Sequence, residues 1–143
     1  MMYIDTLTDA DITRILKDTK VIALVGASAK PERPSHRVGN FLVSKGYKVI
    51  PVNPGQAGKT LFGETCVASL SDITEPVDMV DIFRRAEELG AVVDEALHAL
   101  TGLKYVWMQL DLVNEKAAAL ARAQGAEVVM DRCPAIEIPR LGL

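Results

Sequence analysis

The sequence predicts an α/β protein: a doubly wound, mainly parallel sheet of five or six strands with helices on both faces. Short apolar runs rich in β-branched residues alternate with longer segments of helical period along the chain. Glycines and small polar residues follow the apolar runs, and no repeat, low-complexity tract or linker interrupts the pattern. A parallel sheet with right-handed crossovers accommodates such alternation. At 143 residues, positions 1–143 are expected to form a single domain.

In chain order, Thr8 followed by Asp11 has the spacing of a capping box, with Asp in place of the usual Glu or Gln. Ile12, Ile15 and Leu16 then supply the apolar stripe of a first helix. The segment 20–25 (KVIALV) is apolar after its lysine, as expected of a strand covered on both faces, and Gly26 ends it. Ser35 is the expected cap of a helix over 36–45, with Val38, Phe41 and Leu42 on one side and Gly46 as its stop. The second strand is 47–52 (YKVIPV); Pro51 within it points to a sheet edge or an irregular strand end, because proline cannot donate to a ladder.

A short strand is predicted at 66–68 and a helical turn at 69–73. The segment 77–83 (VDMVDIF) reads as a strand, followed by a helix over about 86–100 and a further strand at 104–109. Asn114 is a good cap for a helix over 115–124, Gly125 its stop, and 127–130 the last strand.

Composition excludes several function classes. Apolar residues make up 49% and charged residues 24%, enough for a buried core. Sixteen Lys and Arg against 19 Asp and Glu give a net charge of −3, which argues against nucleic-acid binding by bulk basic charge but not against a local basic pocket. Cys66 and Cys133 are too few for a disulfide framework or a four-cysteine zinc site, and His36 and His98 add little towards a metal cluster. The stretch MMYIDTLTDADI lacks the basic and apolar regions of a leader, and no apolar run approaches a membrane span. A cytoplasmic protein is expected, with neither membrane nor nucleic acid as partner.

In doubly wound sheets ligands bind beyond the C-terminal strand ends, where the strand order reverses. After the first strand comes Gly26-Ala27-Ser28, then Arg33-Pro34-Ser35 at a helix start. Gly26 permits a tight turn, small Ala27 and Ser28 let backbone N–H groups approach an anion, and a helix N-terminus favours phosphate. Arg33 adds a charge-assisted contact; the bland alternative is a plain turn with a solvated arginine. The loop is not the dinucleotide fingerprint, since Ser28 and Pro31 stand where its later glycines belong. Nor does the second strand end in an acidic ribose reader; it ends in Pro51-Val52-Asn53-Pro54, with Lys59 in the turn beyond.

Phe83 and Arg84 follow the 77–83 strand. Phe83 covers an adenine face or packs in the core, and Arg84 stacks, pairs with phosphate or is merely solvated. Trp107 is expected in the core and Gln109 at the crevice. Cys133, beside Pro134, is either a nucleophile near a helix start or a buried small residue; neither histidine is an obvious base for it. Glu87, Glu88, Asp94 and Glu95 read as one solvated helix face.

These segments together resemble the CoA-binding domain family, in particular its small stand-alone bacterial and archaeal members. The resemblance is carried by VIALVGAS (21–28), RPSHRV (33–38), GYKVIPVNP (46–54), VDMVDIFR (77–84), VWMQL (106–110) and VVMDRCPAIE (128–137). The N-terminal domain of the succinyl-CoA synthetase α subunit is more distantly similar. Its phosphohistidine lies in a later domain that has no counterpart in these segments, so ligase activity does not carry over.

The resemblance implies a Rossmann-like fold with coenzyme A as ligand across the strand ends, and Gly26, Ala27, Ser28, Arg33, Pro34 and Ser35 at the pyrophosphate. Val52, Asn53 and Pro54 would lie beside the adenosine and Lys59 at the 3′-phosphate. Phe83 and Arg84 would wall the adenine side, and Met108, Gln109 and Leu110 would line the pantetheine path. Where the family usually has Leu-Gly-Val this chain has Leu110-Asp111-Leu112; if that glycine takes φ > 0, Asp111 is tolerated there better than most residues but adds negative charge. The resulting expectation is a module that binds CoA or an acyl-CoA without catalysis of its own, a protein partner being compatible with it. The alternatives are an NAD(P)-dependent oxidoreductase fragment or a CoA-thiol transfer protein using Cys133.

Overall fold

The computed structural model describes residues 3–143, so the first two residues of the N-terminal stretch and of the expected domain lie outside it. Helix α1 (Asp9–Asp18) begins at the expected capping box: the Asp11 N–H donates to Thr8 Oγ1 at 3.1 Å and the Thr8 N–H to Asp11 Oδ2 at 2.9 Å. Strand β1 (Val21–Val25) leads through the 26–33 loop to α2 (Pro34–Ser44) and β2 (Lys48–Val52). A 3-10 turn at Pro54–Gln56 and a two-rung hairpin, β3 (Thr60–Leu61) and β4 (Glu64–Thr65), precede a second turn at Leu70–Asp72. Then come β5 (Met79–Ile82), a 3-10 turn, α3 (Leu89–Ala99), β6 (Tyr105–Met108), α4 (Glu115–Ala123), β7 (Glu127–Val129) and α5 (Pro134–Arg140).

The five long strands form one parallel sheet in the order β2-β1-β5-β6-β7. Its two faces follow from period-2 alternation. Ile22, Leu24, Val49, Met79, Tyr105 and Trp107 pack with residues of α1, α2 and α5. Ala23, Val25, Ile50, Val80, Ile82, Val106 and Met108 pack with residues of α3 and α4. The chain leaves β1 for β2 on one side and returns to pair β5 on the other, so the switch point lies between the tips of β1 and β5. Among the described residues no helix is long and apolar enough to cross a membrane.

Pro51 does lie on an edge strand, whose outer side is partly covered: the Val67 N–H donates to the Pro51 carbonyl at 3.0 Å. The strand expected at 66–68 is reduced to a single bridge between Val67 and Val52. The chain forms the hairpin instead, because Phe62 (φ 58°) and Gly63 (φ 78°) take the paired left-handed conformations of a type I′ turn. The Phe62 ring is buried over Gly39 of α2, where a Cβ would approach its Cε1 to 2.4 Å.

Two helix boundaries differ from expectation. Helix α2 starts at Pro34 with Arg33 as its cap residue, and Ser35 is buried inside the first turn. Proline is preorganised for the first helical position and has no N–H to leave orphaned. Helix α5 begins beside Cys133, where a helix start is expected, although no range is predicted for it; Pro134 opens it in the same way.

Helix α5 is tied down by buried charge. The Glu137 side chain is 8% exposed and accepts from Arg132 Nη1 and, at 3.0 Å, from Arg140 Nε. Arg132 Nε also pairs with Asp5 at 2.6 Å, and Arg140 Nη2 with Asp9 at 2.9 Å. Burial pushes the Glu137 carboxyl up, but the two arginines outweigh it and hold it below the usual range. A depressed carboxyl stabilises the fold above its unfolded pKa and ceases to do so as pH falls through its folded value. Arg132→Ala, which leaves Glu137 short of a buried partner, should cost about 3 kcal/mol in urea unfolding at neutral pH. The deficit should shrink on acidification; an unchanged deficit in acid would exclude Glu137 as its cause.

Candidate functional site

A cleft of about 1140 Å³ opens at the switch point, above the roughly 300–1,000 Å³ of a drug-sized ligand site. Its floor is made where the chain leaves β1. Gly26 has φ +89°, and a Cβ there would lie 2.0 Å from the Phe83 carbonyl oxygen. Only glycine serves such a left-handed position pressed against backbone. The Phe83 N–H in turn donates to the Val25 carbonyl at 2.8 Å, locking the tips of β1 and β5 together.

The loop beyond is held from two sides. Asn53 Nδ2 donates to the Ala27 carbonyl at 2.7 Å, and His36 Nδ1 lies 2.9 Å from the Ser28 carbonyl. The Gly26 and Ala27 N–H groups, expected to face an anion, both point to the Val52 carbonyl, at 2.9 and 3.3 Å. They continue the β1–β2 pairing past the strand end. The N–H groups of Ser28, Ala29 and Ser35 have no partner among the described residues. Arg33 makes no side-chain cap at α2, Pro34 has no N–H, and the His36 and Arg37 N–H groups donate to the Arg33 carbonyl at 3.1 and 3.3 Å, so Ser35 carries the one orphan donor of the first turn among the described residues.

Of the residues singled out above, Gly26, Ser28, Arg33, Pro34, Ser35, Asn53, Phe83, Arg84, Gln109 and Leu110 converge on the cleft. Ala27, Val52 and Met108 do not line it; all three are buried in the core. Met108 falls on the α3–α4 side of the sheet by strand alternation, and Gln109 turns towards the cleft just after β6. Pro54 starts the exposed turn after β2, and Lys59 Nζ donates to Gln56 Oε1 at 3.1 Å; neither belongs to the cleft wall.

Several lining residues escaped the sequence reading. Arg37, Val38 and Phe41 follow Pro34 at helical spacing, a signal that could have found them. Ala135 and Ile136 come from α5, whose extent the sequence reading does not give. Asp111 also lines the cleft and has φ 67°, a left-handed backbone that Asp tolerates better than most residues. Its N–H donates to Asp131 Oδ1 at 2.7 Å, joining the tips of β6 and β7.

The electrostatics of the cleft run against the net charge of the chain. Lys30, Arg33, Arg37, Arg84 and Arg85 line it, opposed by Glu88 and Asp111. Arg84 Nε is buried without a hydrogen-bond partner, and the nearest Glu88 carboxylate oxygen is 3.8 Å away. Cys133 is also in the wall, but burial pushes its thiol up, an Ala135 backbone contact opposes this, and Asp81 adds to the rise. A neutral thiol is a poor nucleophile. Glu88 belongs to a 3-10 turn facing the cleft rather than to a wholly solvated helix face.

Asp81 lies under this wall, fully buried, with Gln109 Nε2 donating to its Oδ1 at 2.9 Å. Burial pushes its carboxyl up to about 7, against the smaller lowering by Gln109. A raised carboxyl makes the fold lose stability as pH climbs from 3.8 to about 7, because the unfolded chain releases its proton first. Asp81→Asn should therefore gain stability relative to the parent over that window, by on the order of 4 kcal/mol at most. Urea unfolding at pH 4 and pH 8 tests this, and a pH-independent difference would count against it.

The geometry has counterparts among known proteins. A model of the CoA binding domain matches residues 20–139. The uncharacterized protein YneT of Bacillus subtilis is 41% identical over 124 residues, covering 87% of this chain and 89% of YneT. A Thermus thermophilus structure, cell-free ID.343, superposes with a TM-score of 0.88 at 38% identity, covering 94% of this chain and 99% of that one. An acetyl-coenzyme A synthetase of Ca. Korarchaeum cryptofilum, solved with phosphate and ADP, has a TM-score of 0.65 at 27% identity. There the match covers 76% of this chain and only 25% of the synthetase. With the family match spanning nearly all of the sheet and its helices, the chain belongs to the CoA binding domain family.

Proposed function

We propose that the cleft binds coenzyme A or an acyl-CoA across the strand ends, as a binding module that carries out no reaction on it. The observation that carries this reading is the set of unpartnered donors at the β1–β5 switch point. The N–H groups of Ser28, Ala29 and Ser35 and the buried Nε of Arg84 have no acceptor among the described residues, and four further cations surround them. A pyrophosphate satisfies such a set with charge-assisted hydrogen bonds and complements the dipole of α2.

Under this reading Arg33 and Arg84 hold the pyrophosphate, Phe83 and Asn53 flank the adenosine, and the arm runs past Gln109 and Leu110. Asn53 fits a structural role beside the nucleotide better than that of a ribose reader. Its Nδ2 is engaged by the Ala27 carbonyl, and its Oδ1 accepts the Gly55 N–H at 3.0 Å. That disfavours NAD as the guest. The raised pKa of Cys133 and the absence of a histidine from the described cleft wall disfavour thiol transfer.

In a thermal-shift assay CoA should raise the melting temperature and NAD should not; equal shifts, or none with either, would refute the reading. Lys59, exposed beyond β2, is proposed to meet the 3′-phosphate where the adenosine overhangs that edge. Lys59→Ala should then weaken CoA more than dephospho-CoA, whereas equal losses would remove Lys59 from the site.

A further inference from the structure

Asp81 is a carboxylate placed where an apolar residue would be cheaper. It is next to last on β5, fully buried, between Val80 and Ile82 of the opposite core. A buried carboxyl is destabilising unless its hydrogen bonds are complete, and a well-packed apolar pair of similar volume is often more stable. Here completion fails: Oδ1 accepts from Gln109, while Oδ2 is sealed from solvent with no partner.

What Asp81 does accomplish is directional. An ionised carboxylate only accepts, so the amino group of the Gln109 amide must face it. The amide oxygen is thereby turned away. Gln109 Oε1 accepts no hydrogen bond among the described residues, yet it is not one of the sealed, unpartnered atoms, which are Asp81 Oδ2 and Arg84 Nε. Gln109 itself lines the cleft. Its Oε1 is therefore reached from the cleft and has an open lone pair.

We infer that Asp81 is a positioning residue for the ligand: by holding the Gln109 amide in one orientation, it makes Oε1 a fixed acceptor for an N–H or O–H donor. The inference rests on the proposed CoA reading, in which the arm beyond the phosphates carries two secondary amides and a hydroxyl. An acceptor that cannot swing round to donate selects those groups and rejects a carboxylate or carbonyl in their place. The strain of burying Asp81 is the counterpart of that selectivity, since an unpaired buried group persists where it serves a site.

The test is a double-mutant cycle by isothermal titration calorimetry at pH 8, with Asp81→Asn, Gln109→Met and the double variant. Each is titrated with CoA and with 3′-phospho-ADP, the half of CoA that lacks the pantetheine arm. The amide introduced by Asp81→Asn can accept from or donate to Gln109, so it frees the Gln109 side chain to rotate without emptying the site. Each single variant should weaken CoA about three- to tenfold, the worth of one hydrogen bond. Affinity for 3′-phospho-ADP should stay at the parental value. The double variant should be no weaker than Gln109→Met alone, because Asp81 acts through Gln109.

Equal losses for both ligands, additive losses in the double variant, or unchanged CoA binding in Asp81→Asn would overturn the positioning role. The reading of the cleft as a CoA site would survive any of these. Failure of the parent protein to bind CoA would overturn both.

Discussion

The contact between the backbone at Gly26 and the carbonyl of Phe83 governs the geometry of everything above the sheet. With no Cβ at position 26 the chain turns sharply as it leaves β1, against the end of β5. Any side chain there would overlap the Phe83 oxygen and also have to take a left-handed backbone, so two penalties fall on one residue. Because the turn is this tight, the loop emerges over the switch point. Asn53 and His36 then hold its carbonyls at Ala27 and Ser28. The amides left without partners, Ser28, Ala29 and Ser35, belong to the same short stretch as the start of α2.

Charge is distributed to the same end. An excess of acidic residues is compatible with an anion site because most carboxylates are placed away from the cleft, many in ion pairs. Asp5, Asp9 and Glu137 neutralise Arg132 and Arg140 at α5, and Glu127 holds Arg14 on α1. Around the cleft the balance reverses to five cations against two carboxylates. A few placed cations in a partly desolvated cleft act more strongly than the same charges spread over a surface. Net charge therefore has little to say about the ligand.

The legible parts of the site are those whose signal is local. Gly26, the small residues after it and Arg33-Pro34 announce a turn and a helix start within a few residues of one another. The strands are readable because residues buried on both faces have to be apolar, and Pro51 marks an edge through its missing N–H. Asp111 stands out through the family resemblance, but only the structure gives its φ of 67°. The 60–65 hairpin is hidden because Phe62 is an uncommon residue for a left-handed turn position; only its burial over Gly39 explains it. Helix α5 is short, and its anchor is an ion-pair network reaching back to residues 5 and 9, which no window of sequence contains.

The sequence by itself determined the alternation of strands and helices, the parallel sheet, the expectation of a cleft at its strand ends and the family resemblance, because hydrophobic period and turn chemistry are properties of neighbouring residues. Tertiary structure decided which candidates share one cleft. It turned Met108 into the core but Gln109 towards the cleft, spent the amides of Gly26 and Ala27 on Val52, and left Lys59 outside the cleft wall. It also brought Asp81 under Gln109, two residues 28 positions apart whose meeting depends on β5 and β6 pairing in register. Such a meeting is set by strand order and stagger, which arise only when the sheet closes its core.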